Sequence, residues 1–179
     1  MVNVYVVNHF FTIQDLELLA TTLNNSDDGF GKIANFRVQV YNDRYYLEKE
    51  PTPSIVVLGK LSKEHIKQVM PPDPTIRAEA KQIHNLSFTF WGLKPPVIVF
   101  NANNWKRKPK KFTGTQQDYL TYLINHEFGH ALSLRHEHKT SNDCPLMYQQ
   151  SLGTQDCLHK HLWPSDENIE QARRYLQAY

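Results

Sequence analysis

The sequence predicts an α+β domain, and three observations carry that reading. The first hundred residues alternate β-branched apolar runs with stretches of helical spacing. A long, capped, apolar-patterned stretch begins at Thr115. From about Leu134 to Pro164 no period is visible, and one last amphipathic helix follows. With 179 residues, 40% hydrophobic and 21% charged, the chain can bury a sizeable core as one domain, 1–179. The pattern divides it into an N-terminal subdomain, 1–132, and a C-terminal subdomain, 133–179.

Residues 2–7 form a β-branched apolar run and predict a buried strand. Over 12–23, Ile13, Leu16, Leu19, Ala20 and Leu23 recur at helical spacing, and Thr12 with Asp15 forms an N-cap. Over 36–41, Phe36, Val38 and Val40 alternate with Arg37 and Gln39, as in a half-buried strand with the apolar set inward. A strand over 54–58 is entered through Pro51 and Pro53. A short helix over 62–70 ends at Pro71, Pro72 and Pro74, which cannot continue it. Two more strands follow, at 86–91 and 96–100. The polar, basic segment 101–114 reads as an exposed loop. Thr115 and Asp118 then cap the long helix, whose apolar bulk comes from Tyr119, Leu120, Tyr122, Leu123, Phe128, Ala131 and Leu132. Ser165 caps the last helix, with Ile169, Ala172, Tyr175 and Leu176 on one face.

A formal charge of +2 gives no global attraction to nucleic acid or to a membrane, so neither is expected as a partner. No apolar run reaches the roughly 20 residues that span a bilayer. The first residues lack a basic start and a small-residue cleavage site, so the default compartment is intracellular, or secreted if this is a processed form. A monomer is expected. The cationic cluster at 106–111 contains a proline and reads as a solvated loop, placed just before the long helix where it can edge a cleft. Tyr45, Tyr46, Phe90 and Trp91 read as packing residues, and His9, His65 and His84 as isolated histidines. His159 and His161 read as structural. Twelve residues lie between the only two cysteines, Cys144 and Cys157, and a bridge or two free thiols both suit that spacing.

The long helix contains His126, Glu127, Phe128, Gly129 and His130, an HExxH sequence. Residues four apart on a helix lie about 40° apart around its axis, so both imidazoles face one way and can hold a zinc ion. Glu127 projects toward the same cleft and is placed to take a proton from a zinc-activated water and hand it to the leaving amine. Catalytic zinc takes three protein ligands and leaves one position open. His136 follows at HExxHxxxxxH spacing. It can reach the metal only if the helix stops near 132–134 and the chain turns back.

This pattern resembles the metzincin clan of zinc peptidases, with HExxHxxGxxH and a methionine-bearing turn. The resemblance implies a metzincin-like (zincin) fold: a twisted mixed sheet with a backing helix and an active-site helix, then a loop-rich C-terminal subdomain. It implies His126, His130 and His136 as ligands of one zinc ion, Glu127 as the catalytic base and acid, and Met147 as the turn methionine beneath them. Residues 118–164 more closely resemble a family of small actinobacterial metzincin-like proteins known by a domain of unknown function. The matching positions are Asp118 and Tyr119, Asn125, His126, Glu127, Gly129 and His130, then His136 and Cys144. They continue through Pro145, Met147, Gln149, Gln150, Gly153, Cys157, Trp163 and Pro164. That family's cysteines look paired, which implies a Cys144–Cys157 bridge worth roughly 3 kcal/mol. Ser133 stands where metzincins have the glycine that ends the helix, a change costing roughly 1–2 kcal/mol if the dihedral is kept. That departure leaves His138 as an alternative third ligand.

The function expected is a zinc-dependent endopeptidase acting on a peptide or protein, with the extended substrate along a sheet edge, for which 96–101 is the candidate because it opens with a proline. Two rivals remain. One is a zinc hydrolase of a non-peptide amide. The other is a non-catalytic, zinc-stabilised binding module with a fourth ligand such as His138 or Asp143.

Overall fold

A computed structural model of the chain describes residues 1–7, 11–41, 51–61 and 87–178. The helix expected at 62–70 lies outside these residues, as do Leu86, His9, His65, His84, Tyr45 and Tyr46. The described chain is a mixed α+β structure with a mixed five-stranded sheet and four α-helices.

Strands β1 (Val2–Val7), β2 (Phe36–Tyr41), β3 (Ile55–Leu61), β4 (Phe88–Phe90) and β5 (Val97–Asn101) run in the order β2-β1-β3-β5-β4. All neighbours are parallel except β4, which is antiparallel to β5. The central strands are buried on both faces, which is why β1 and β5 are mostly apolar rather than alternating. On one face Val4, Val6, Ile55, Val57, Ile98 and Phe100 meet the helices. On the other, Val56, Val97, Val99, Phe88 and Phe90 form a smaller cluster. Because successive strand side chains alternate, Thr89 lies on the opposite face from Phe88 and Phe90.

Two expectations about strands are corrected. Segment 96–101 is not an edge: β5 lies between β3 and β4, and Pro96 sits just before the strand, where its carbonyl accepts from Val56 N. The edge on that side is β4. The inward alternation expected over 36–41 fails at Val40, which is 44% exposed, because β2 is the opposite edge.

Helix α1 (Ile13–Leu23) starts at the Thr12–Asp15 capping box and packs on β2. Ile13, in its first turn, is solvent-exposed rather than packed. The expected loop 101–114 contains a short helix, α2 (Ala102–Lys106), whose first amides donate to the Asn101 side chain. Its Trp105 is buried and packs edge-on against Phe11 and Phe100, and Phe112 is buried as well, so the segment is anchored at two aromatic residues rather than exposed throughout. Helix α3 (Gln116–Ala131) begins at the Thr115–Asp118 capping box and packs on α1, β4 and β5. Helix α4 (Asp166–Gln177) begins at Ser165.

Between α3 and α4 the chain is held by cross-links rather than by a periodic face. Strands β6 (Asp143–Cys144) and β7 (His159–Lys160) pair in parallel. Cys144 and Cys157 form a disulfide, with Cα atoms 5.8 Å apart. The fully buried Gln150 donates through Nε2 to the carbonyls of Cys144, Pro145 and His161. Asn125 of α3 donates to Leu162 O, and Tyr122 OH to Tyr148 O. Among the described residues no helix is long and apolar enough to cross a membrane.

Candidate metal centre

Helix α3 buries polar side chains in its last two turns. Asn125, His126 and Glu127 are at most 5% exposed. Such groups are costly inside a protein unless bonded or ligated. His126 and His130 share one face, with ring centroids 4.8 Å apart. The helix then ends and the chain reverses. Leu134 N donates to Gly129 O at 2.9 Å and Ser133 N to His130 O at 3.0 Å, the paired bonds of a Schellman cap. Ser133 takes the left-handed conformation itself, with φ of 70°. The serine thus keeps the dihedral that a glycine adopts readily.

That turn brings His136 back to the helix. Its Nε2 lies 3.1 Å from His130 Nε2, and its ring lies 5.4 Å from the His126 ring. One nitrogen from each of the three histidines falls within 4.8 Å of the others. Among the described residues, neither His138 nor Asp143 belongs to this group.

The outer nitrogens are already engaged. His126 Nδ1 lies 2.8 Å from Leu146 O and His130 Nδ1 lies 2.9 Å from Leu134 O. A carbonyl accepts only, so each Nδ1 carries its proton and each Nε2 keeps a lone pair. Burial holds His126 down to about 3, helped by the neighbouring His130 and opposed by the Leu146 carbonyl. Burial likewise lowers His130 to about 4, against the Leu134 carbonyl, and lowers His136. All three are neutral near pH 7, the state that binds metal. The 3.1 Å separation approaches the edge of about 3.3 Å that a tetrahedral site with Zn–N of about 2.0 Å requires. The donor set, and the spacing of the His130–His136 pair, therefore fit a zinc ion.

Glu127 is 3% exposed, and burial pushes its carboxyl up to about 7 against a hydrogen bond from Thr89. Thr89 Oγ1 lies 2.6 Å from Glu127 Oε2 and 3.0 Å from the Glu127 carbonyl. A cleft of about 480 Å³ opens here, lined by the three histidines and Glu127, by Thr89 and Trp91 from the β4 side, and by residues of the turn. Trp91 was expected in packing but stands 64% exposed on this rim, because it follows the edge strand rather than belonging to it. None of the cations at 106–111 lines the cleft: Lys108 turns back to Phe112 O, and the cluster sits at the far, N-terminal end of α3. His159 and His161 do not line it either.

Met147 is fully buried beneath the helix end. A Cβ added to Gly129 would stand 2.6 Å from the Met147 sulfur, so only glycine admits this approach. Two contributors escaped the sequence reading. Thr89 lies 38 residues before Glu127, in a three-residue strand with no site signal. Glu137 clasps the methionine turn with backbone and side chain: its N donates to Met147 O, while its Oε2 accepts from Met147 N. Its place directly after His136 was the available hint.

Residues 64–173 match a protein family described as "Protein of unknown function (DUF3152)". No curated protein and no solved structure matches the chain.

Proposed function

The chain belongs to that family of unknown function (DUF3152), whose match spans more than half of it, and from this premise, which brings no activity with it, we propose that the protein is a zinc-dependent peptidase of metzincin-like fold. One observation carries the reading. Three neutral histidines converge one nitrogen each beside an open cleft that they line, and a buried carboxylate borders the same cleft. The mixed sheet, the backing helix α1 and the methionine below the histidines support the metzincin likeness. A structural zinc site would be closed by a fourth protein ligand, and among the described residues the group is one of three beside a cleft, which favours catalysis instead.

His126, His130 and His136 would hold the ion, which when bound would supply Lewis acidity toward a water and a substrate carbonyl. Glu127 Oε2 is engaged by Thr89, which leaves Oε1 to take the proton from the water. The same carboxyl then hands that proton to the leaving amine. Its upward-shifted affinity for protons suits a group that must both accept and release one near neutral pH. The extended substrate lies along β4, whose outer edge has no strand partner among the described residues and whose side of the cleft carries Thr89 and Trp91.

Zinc titration tests the ligand set. The wild type should bind one equivalent tightly and cleave members of a broad peptide library. His136→Ala should lose tight binding while His138→Ala retains it. The reverse pattern would remove His136 from the site.

A further inference from the structure

We infer that Thr89 is a positioning residue for Glu127: its hydroxyl fixes the carboxylate at the cleft. The inference rests on the peptidase reading for its catalytic consequence, but its geometry is independent of it.

Glu127 is nearly inaccessible to water, so its oxygens depend on protein partners. Among the described residues, Thr89 is the only side chain that bonds the carboxylate. At 2.6 Å the contact has the length of a charge-assisted O–H···O bond. The second acceptor, the Glu127 carbonyl at 3.0 Å, gives the hydroxyl an alternative direction. With the Thr89 hydroxyl seated between the carboxylate and the carbonyl of one residue, the Glu127 side chain is held in one orientation at the cleft. The placement follows from the sheet. Phe88 and Phe90 pack in the opposite cluster, so Thr89 is the one residue of β4 that faces α3. The strand proposed to hold the substrate therefore also holds the base.

Thr89→Val keeps the shape and removes the hydroxyl, and Thr89→Ser restores the hydroxyl alone. Should Thr89→Val fail to fold, Thr89→Ala replaces it. Each variant is loaded with zinc, crystallised and assayed on the best library peptide. In the valine variant we expect zinc stoichiometry and KM to stay at the wild-type value, and kcat to fall about 10- to 100-fold, as for a misplaced catalytic group. We expect the Glu127 carboxylate to leave its single wild-type position in the crystal. Thr89→Ser should recover both. A Glu127 side chain that holds the same position in the valine variant overturns the inference, as does wild-type kcat there. If the wild type cleaves nothing, the peptidase reading fails instead, and the Glu127 position in the valine crystal alone decides for or against Thr89.

Discussion

Ser133 shows how a single residue can carry a cost for the geometry of a site. Its φ of 70° lies in the region that L-residues avoid by roughly 1–2 kcal/mol, and the surrounding Schellman bonds enforce it. The same turn returns His136 to His130. Glycine at this position would relieve the backbone while losing somewhat more entropy on folding. Ser133→Gly should therefore raise stability by about 1 kcal/mol and leave zinc stoichiometry unchanged. Urea unfolding of the two proteins measures this, and a destabilised glycine variant would mean that the serine side chain contributes something the backbone account omits. At this scale His126, Glu127 and His130 were legible, since helix geometry alone brings i and i+4 together. Thr89 was not. Its role depends on a three-residue edge strand meeting a helix 38 residues later, and no local pattern encodes that meeting.

Helix α3 is the element on which the site is built. Its capping box fixes where it starts, its apolar residues bury it against the sheet, and its last two turns carry the polar cluster. The methionine turn supports that last turn from below, through the contact of Met147 with Gly129 and the bond of Leu146 O to His126. Gly129→Ala would set a methyl group against the Met147 sulfur. Such overpacking costs typically about 1–3 kcal/mol, and here the displaced loop also carries the carbonyl that orients His126. The expected outcome is a lower unfolding midpoint together with weaker zinc binding. An alanine variant with wild-type zinc affinity would show that Met147 can move without disturbing the histidines. Capped helices were readable in the sequence because a cap is a local signal. Edges were not, because strand order is a property of the assembled sheet. Pro96 pointed to an edge, yet it stands before β5 and interrupts no ladder. Helix α2 was hidden because its one buried anchor, Trp105, stands between two asparagines and a basic run.

At the scale of the whole molecule, the buried site links folding to pH. His126 and His130 sit at about 3 and 4 in the folded chain and near 6.5 in an unfolded one, and His136 is shifted in the same direction. These groups exert no penalty above pH 6.5, and stability is lost as pH falls toward their folded values. Glu127 acts in the opposite direction. At about 7 when folded and near 4.5 when unfolded, it favours the folded state at low pH and loses that contribution as pH rises to 7. Between pH 6.5 and 4.5, unfolding of the metal-free protein thus takes up protons at two or three imidazoles and releases one from Glu127. In the middle of that range the net uptake is about one proton, so stability should fall there by about 1 kcal/mol per pH unit on acidification. Urea unfolding of chelator-treated protein at pH 7 and pH 5 measures the slope, and a midpoint that is flat or rises toward acid would contradict the burial of the histidines. The α+β class was legible at this scale from apolar periodicity. The organisation of 134–164 was not, since a disulfide, a two-residue strand pair and the Gln150 side chain hold it together.

The central claim is that Glu127 activates water at a centre held by three histidines. Its most direct measurement compares the wild type with Glu127→Ala, both containing one equivalent of zinc, on the same peptide library. The account predicts equal zinc content and a loss of cleavage of about 10²- to 10⁴-fold in the alanine variant, the usual contribution of a general base. Cleavage that survives the substitution at full zinc content would contradict it.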